Sequence, residues 1–179
     1  MSASSMKKTA IAYWLIPAEP ARSFFEKTII DLARRYNAPV FEPHMTLYVG
    51  SDRVEAEEVI AKAVSCCRFA QAKVLKVCES DEFVKTLFVQ FAPDRKLQQL
   101  YEMIRDAAQD SFDYQLNPHL SLLYKKMSIL VRRQLAHSIK LPFSEVTFES
   151  IRAVRCVSPT RSRADVEAWR VVAAKFMRE

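Results

Sequence analysis

Two short stretches of this chain set an imidazole two residues ahead of a hydroxyl. The first is Pro43-His44-Met45-Thr46-Leu47-Tyr48-Val49, and the second is Pro118-His119-Leu120-Ser121-Leu122-Leu123-Tyr124. The chain has three histidines, and two of them stand in this phrase. An unperturbed imidazole titrates near pH 6.5, so of two that share a cleft, one can accept a proton while the other gives one up. Displacement at phosphorus with an oxygen leaving group needs both acts. One ring takes the proton of the attacking water, and the other protonates the departing oxygen. Thr46 and Ser121 can then donate hydrogen bonds to the non-bridging phosphoryl oxygens. Such chemistry requires no metal and no cofactor, and no carboxylate cluster suited to a metal is evident.

A lone histidine in an apolar strand is most often a structural residue held by a local hydrogen bond. Repetition with the same proline, hydroxyl and apolar tail reverses that reading. His137 lacks the context and falls late in a predicted helix, so it stays outside the candidate site.

Alternation along a strand puts His44 with Thr46, and His119 with Ser121, on one face of their strands. The opposite faces, Met45-Leu47-Val49 and Leu120-Leu122, are expected to enter a core. By the same alternation Tyr124 falls opposite His119, and it reaches a cleft only if the strand ends or twists there.

The elements around the two strands repeat as well. Ala10–Ile16 reads as a strand, and Ala21–Tyr36 as a helix with Phe25, Ile29, Leu32 and Tyr36 on one face. After the His44 strand, Gly50-Ser51-Asp52 can cap a helix with a stripe of Val59, Ile60, Ala63, Val64 and Cys67. A strand pair, 71–79 and 83–91, follows. Then come a helix after Pro93-Asp94 (Leu97, Leu100, Tyr101, Ile104, Ala108), the His119 strand and a helix over 128–139. A last strand pair covers 145–157 and 166–176, joined by the basic loop Ser158-Pro159-Thr160-Arg161-Ser162-Arg163. Strand, helix, histidine strand, helix and strand thus occur twice, with the histidines 75 residues apart. That spacing exceeds a solenoid period and predicts an internal duplication, about 9–80 and 81–179, packed around a pseudo-twofold axis. Residues 1–8 read as a disordered leader, and 9–179 as a single domain.

Composition bounds the partners. Half the residues are hydrophobic and 27% are charged, as in ordinary globular proteins. The formal charge of +6 favours anionic ligands. The single glycine, Gly50, excludes any glycine-rich phosphate loop. Cys66 and Cys67 are adjacent while Cys78 and Cys156 stand apart, which fits reduced thiols better than a zinc site or disulfide framework. Met6-Lys7-Lys8 ahead of Thr9–Ile16 imitates a signal peptide, but the run meets Pro17 and Glu19 without a small-residue cleavage site. No run reaches transmembrane length. The expectation is a cytoplasmic protein, monomeric and without a membrane partner.

Paired H-x-[ST]-φ motifs in a duplicated chain of this length resemble the two-histidine phosphoesterase superfamily. The second motif, the early strand through Trp14 and the closing stretch Glu167-Ala168-Trp169-Arg170-Val171-Val172-Ala173 are most similar to its cyclic phosphodiesterase branch. The resemblance implies an α+β, bilobed fold of two antiparallel β-sheets flanked by outer helices, with a central cleft. It also implies metal-independent opening of nucleoside 2′,3′-cyclic phosphates, typically to 2′-phosphates, and of ADP-ribose 1″,2″-cyclic phosphate. His44, Thr46, His119 and Ser121 match the catalytic positions. The cysteine-dependent redox control of plant relatives does not carry over, and the role of Tyr48 stays open.

Tyr124, Trp14 and Phe83 are candidates to stack a base, and Arg161 and Arg163 to hold phosphate. Two other readings remain. One keeps the chemistry but acts on RNA ends or 2′–5′ linkages. The other is a non-catalytic nucleotide- or RNA-binding module in which the histidines only recognise phosphate.

Overall fold

The computed structural model of the protein describes residues 7–67, 69–109 and 113–177. The fold is α+β, with seven antiparallel strands and helices outside them. The elements are β1 (Lys8–Pro17), α1 (Ala21–Tyr36), β2 (Met45–Gly50), α2 (Ala56–Cys66) and β3 (Ala70–Glu79), then β4 (Leu87–Phe91), α3 (Arg95–Ala108), β5 (His119–Leu123), α4 (Ile129–Ser138) and β6 (Glu145–Ser158). A short helix α5 (Arg163–Glu167) and strand β7 (Arg170–Phe176) are the last elements among the described residues. The order β1-α1-β2-α2-β3 therefore recurs as β4-α3-β5-α4-β6.

The strands run β1-β2-β5-β4-β3-β6-β7, and β1 also pairs with β6. The two expected sheets are thus joined by hydrogen bonds into one. One seam is a single pair, Met45 opposite Leu120, where the two motif strands meet. The other is β6, whose Glu145–Phe148 segment pairs with β3 while Ser150–Arg155 pairs with β7.

The helices form where apolar periodicity and caps agree. Asp94 caps α3 by accepting from the backbone N–H of Lys96 and Leu97, and the face Leu97-Leu100-Tyr101-Ile104-Ala108 is buried. In α1, Phe25, Ile29 and Leu32 are buried in the same way. The corresponding helices α1 and α3 both end on a left-handed residue, Asn37 at φ 49° and Gln109 at φ 51°. Helix α1 packs on β5 and α3 on β2, so each half covers the motif strand of the other. Complete burial of a side chain such as Phe25 or Leu47 contributes about 1.5–3 kcal/mol.

Four expectations need correction. The strand read over 83–91 begins at Leu87, because Phe83–Lys85 form a 3-10 turn ahead of it. Residues 1–6 of the expected leader lie outside the described residues, but Lys7 and Lys8 are not leader: Lys8 opens β1, and Lys7 Nζ lies 2.7 Å from Asp165 Oδ1. The last strand begins at Arg170 rather than 166, because Ser162 and Asp165 form a capping box that turns 163–167 into α5. Gly50-Ser51-Asp52 does not cap α2; Glu55 stands at that position with no side-chain cap bond.

Strict alternation also fails, and it fails twice at the same place. In the β1–β2 ladder Tyr13 faces Tyr48 and Trp14 faces Thr46, leaving Leu47 without a partner. In the β4–β5 ladder Leu87 faces Leu123 and Phe88 faces Ser121, leaving Leu122 over. Each is a bulge three residues after the histidine, and a bulge re-aims the side chains beyond it. Tyr48 therefore joins the core beside Tyr13 instead of following His44 and Thr46 along the cleft face, and Val49 turns to the cavity instead of the core. In the second half the same shift delivers Tyr124 to the cavity.

Candidate active site

His44 and His119 line one cavity of about 380 Å³, within the range of small-molecule sites. His44 immediately precedes β2 and His119 opens β5. Each ring is held by the carbonyl two residues back. Nδ1 of His44 is 2.6 Å from the Glu42 oxygen, and Nδ1 of His119 is 2.7 Å from the Asn117 oxygen. A carbonyl only accepts, so Nδ1 carries the proton in each neutral ring and Nε2 keeps the lone pair.

Both acceptor residues are tied down in turn. The Glu42 carboxylate is gripped by Arg22 of α1 at 3.1 Å and by Arg152 of β6 at 2.6 Å. The Asn117 side chain accepts from Gln90 Nε2 at 3.2 Å, and the same amide donates to the Pro118 oxygen at 2.8 Å.

The two rings differ in what surrounds them. His44 lies flat on Trp14, with centroids 3.7 Å apart and planes 12° from parallel, and meets Trp169 and Phe41 edge-on. Burial drives its pKa down to about 4; the Glu42 carbonyl opposes this and the charge of His119 adds to it. His119 is half-buried and meets the edge of Phe88 at 5.6 Å. Its pKa is also lowered, first by desolvation, with the Asn117 carbonyl opposing, Lys85 lowering it further and Glu82 raising it.

The hydroxyls differ as well. Antiparallel register about Met45 and Leu120 sets Thr46 across from His119 and Ser121 across from His44. Thr46 lines the cavity. Ser121 is buried: its Oγ donates to the Val84 carbonyl at 2.8 Å, and its side chain is also hydrogen-bonded to that of Tyr124, which lines the cavity.

Of the stacking candidates, Trp14 and Tyr124 line the cavity, while Phe83 does not. Trp14 already gives a face to His44. Tyr124 stacks on Phe41 at 4.0 Å and 12°, and burial raises its phenol pKa far above the ordinary range. Phe83 stands behind Tyr124, with centroids 6.0 Å apart. The basic loop contributes Ser158, Pro159 and Thr160 to the wall, but neither of its arginines. Arg163 binds Glu167 and Asn37, and Arg161 is exposed. His137 is exposed on α4 with Nδ1 against the Arg133 carbonyl.

Two wall residues escape the sequence pattern. Trp169 packs edge-on to Trp14, His44, Phe41 and Tyr124, and its buried indole N–H has no hydrogen-bond partner among the described residues. Its only sequence signal is its place in the closing stretch. Lys85 enters the cavity from the turn between β3 and β4, where no periodicity marks it.

A family model described as cyclic phosphodiesterase-like protein matches residues 9–177. A cyclic phosphodiesterase of Arabidopsis thaliana is 23% identical over 175 residues, covering 94% of this chain and 95% of the relative. Escherichia coli LigT, crystallised with 3′-AMP, superposes with a TM-score of 0.59 at 14% identity, covering 96% of this chain and 99% of LigT. Another solved phosphoesterase superposes with a TM-score of 0.60 at 12% identity, covering 96% of this chain and all of that one. With two histidine motifs converging on one cavity in a chain matched over nearly its full length, the protein belongs to the cyclic phosphodiesterase-like family and is a phosphoesterase.

Proposed function

We propose that the protein hydrolyses small cyclic phosphodiesters to phosphomonoesters by paired-histidine acid–base catalysis without a metal. Nucleoside 2′,3′-cyclic phosphates and ADP-ribose 1″,2″-cyclic phosphate are the substrates in view. The observation that carries this reading is the convergence of His44 and His119 on one cavity, each with Nδ1 committed to a carbonyl and Nε2 left for chemistry. The Arabidopsis relative bears the name cyclic phosphodiesterase, and LigT has been crystallised with 3′-AMP, phosphate, ATP and NADP+, which supports a nucleotide in the cavity.

The unequal surroundings divide the labour. His44, with a pKa near 4, is neutral at physiological pH and fits the general base that takes a proton from water. His119, less buried, fits the acid that protonates the leaving ribose oxygen. The phosphoryl anion, once bound, favours the charged form of His119. Thr46 anchors a non-bridging oxygen. A small substrate is preferred over an RNA end because Glu82 and Asp113 line the cavity and both loop arginines lie outside its wall.

Steady-state hydrolysis of 2′,3′-cyclic AMP in EDTA is the test. Turnover that disappears in His44→Ala and in His119→Ala is the expected result. Full activity in either variant, or dependence on added metal, would overturn the reading.

A further inference from the structure

A second hollow, of about 280 Å³, adjoins the histidine cavity and shares Trp14 and Trp169 with it as walls. Both open on one face of the sheet. Cys156 lines the cavity, and Val154, two residues back along β6 and in the same buried cluster as Trp14, lines the hollow. Val166 and Val171 extend its apolar lining, and Val171 is 50% exposed, so solvent reaches it. Two carboxylates also line it, each already neutralised: Glu42 by Arg22 and Arg152, and Glu167 by Arg163. Acceptor oxygens among apolar walls repel a phosphate and suit adenine, whose faces are apolar and whose amino group donates. The loop between the two spaces carries a cation. Ser158, Pro159 and Thr160 line the cavity, Glu167 the hollow, and Arg161 comes between them in the chain. Asp165 fixes the loop there by accepting from the backbone N–H groups of Arg161 and Ser162 at 2.9 and 3.0 Å, and Lys7 binds both oxygens of that carboxylate. The Arg161 side chain itself is exposed and makes no hydrogen bond or ion pair among the described residues.

We infer that the hollow is a second subsite, which takes the distal nucleoside of a pyrophosphate-linked substrate such as ADP-ribose 1″,2″-cyclic phosphate, while Arg161 pairs with the pyrophosphate. The inference rests on the phosphodiesterase reading of the cavity and says which of its substrates the surroundings fit. In either substrate the cyclic phosphate sits at the histidines. A mononucleotide ends within the cavity. The longer substrate passes Arg161, whose planar fork matches two phosphoryl oxygens, and buries its adenine beside Val154 and Val166. Contacts so far from the reacting phosphorus are equal in the ground and transition states, so they lower KM without changing kcat.

Steady-state kinetics on 2′,3′-cyclic AMP and on ADP-ribose 1″,2″-cyclic phosphate, joined to calorimetry of ADP-ribose binding, test this. Arg161→Gln is expected to raise KM for the ADP-ribose substrate by about three- to tenfold at unchanged kcat, and to leave 2′,3′-cyclic AMP hydrolysis as it was. Val171→Trp, which fills the hollow from its solvent side, should raise the same KM by about tenfold. Its unchanged turnover of 2′,3′-cyclic AMP would also report an intact fold. Equal effects on both substrates, no effect of either variant on the ADP-ribose substrate, or turnover of the mononucleotide alone would overturn the inference and leave the phosphodiesterase reading in place. If neither substrate is turned over, that reading fails. ADP-ribose binding that weakens in both variants then keeps the subsite, and binding indifferent to them ends it.

Discussion

The two halves of the site begin from the same seven-residue phrase and end in different environments. In the first half, a tryptophan ring lies flat on the histidine, and a carboxylate clamped by two arginines fixes the carbonyl that sets its tautomer. In the second, a phenylalanine meets the histidine edge-on, an amide does the clamping, and charged groups stand nearby. Trp14 and Phe88 hold matching places, each paired in the ladder with its motif hydroxyl, Thr46 or Ser121. Near-symmetric strands thus deliver two rings alike in orientation and unlike in proton affinity. A reaction that must withdraw one proton and supply another calls for that combination.

The comparison breaks most sharply at the rings themselves. His44→Ala and His119→Ala should each reduce kcat by roughly 10²–10⁴-fold on an oxygen-leaving substrate. A cyclic analogue with sulfur at the leaving position needs little protonation, so it should rescue His119→Ala and not His44→Ala. Rescue of the opposite variant would exchange the two roles.

Stability should follow His44 with acid. The folded ring stays neutral down to about pH 4, whereas the unfolded histidine protonates near 6.5. Between those values the unfolded chain binds more protons. The stabilisation is therefore complete above pH 6.5 and declines as pH falls toward 4, by roughly 3 kcal/mol in all. Urea unfolding at pH 7 and at pH 4.5 should show this loss in the wild type and much less of it in His44→Gln. In the same pH window, kcat/KM should peak on the acid side of 6.5, because both folded pKa values are lowered.

The clamps should rank below the rings. Arg152→Ala removes a charged hydrogen bond from Glu42 and should lower kcat about tenfold, with the acid limb of the pH profile displaced. Gln90→Ala, which removes neutral bonds in the other half, should cost only a few-fold. An equal or larger effect at Gln90 would erase the asymmetry between the two clamps.

Much of this was legible in the chain. The face Phe25-Ile29-Leu32 and the cap Asp94 mark their helices without help from tertiary contacts, because periodicity and capping are local. Val166 was misplaced because a capping box outcompeted the apolar tail for the stretch before Trp169. Asp165 of that box is further held by Lys7, which with the backbone N–H groups keeps its carboxyl near 2. Phe83, a stacking candidate by its nearness to the motifs, is not in the cavity wall, because the turn before β4 packs its ring against Tyr124.

The repeated phrase alone determined that two histidines would each stand at the start of a strand with a hydroxyl two residues on, since residue type and alternation are properties of the chain itself. Strand pairing decided the rest. An unpaired Leu47 and an unpaired Leu122 exchange which side chains face the cavity, and a bulge exists only relative to a neighbouring strand. Burial against Trp14, and with it the proton affinity of His44, arises from surfaces that meet only after folding. The same is true of Lys85, placed by hydrogen bonds from residues as distant in sequence as Ser121.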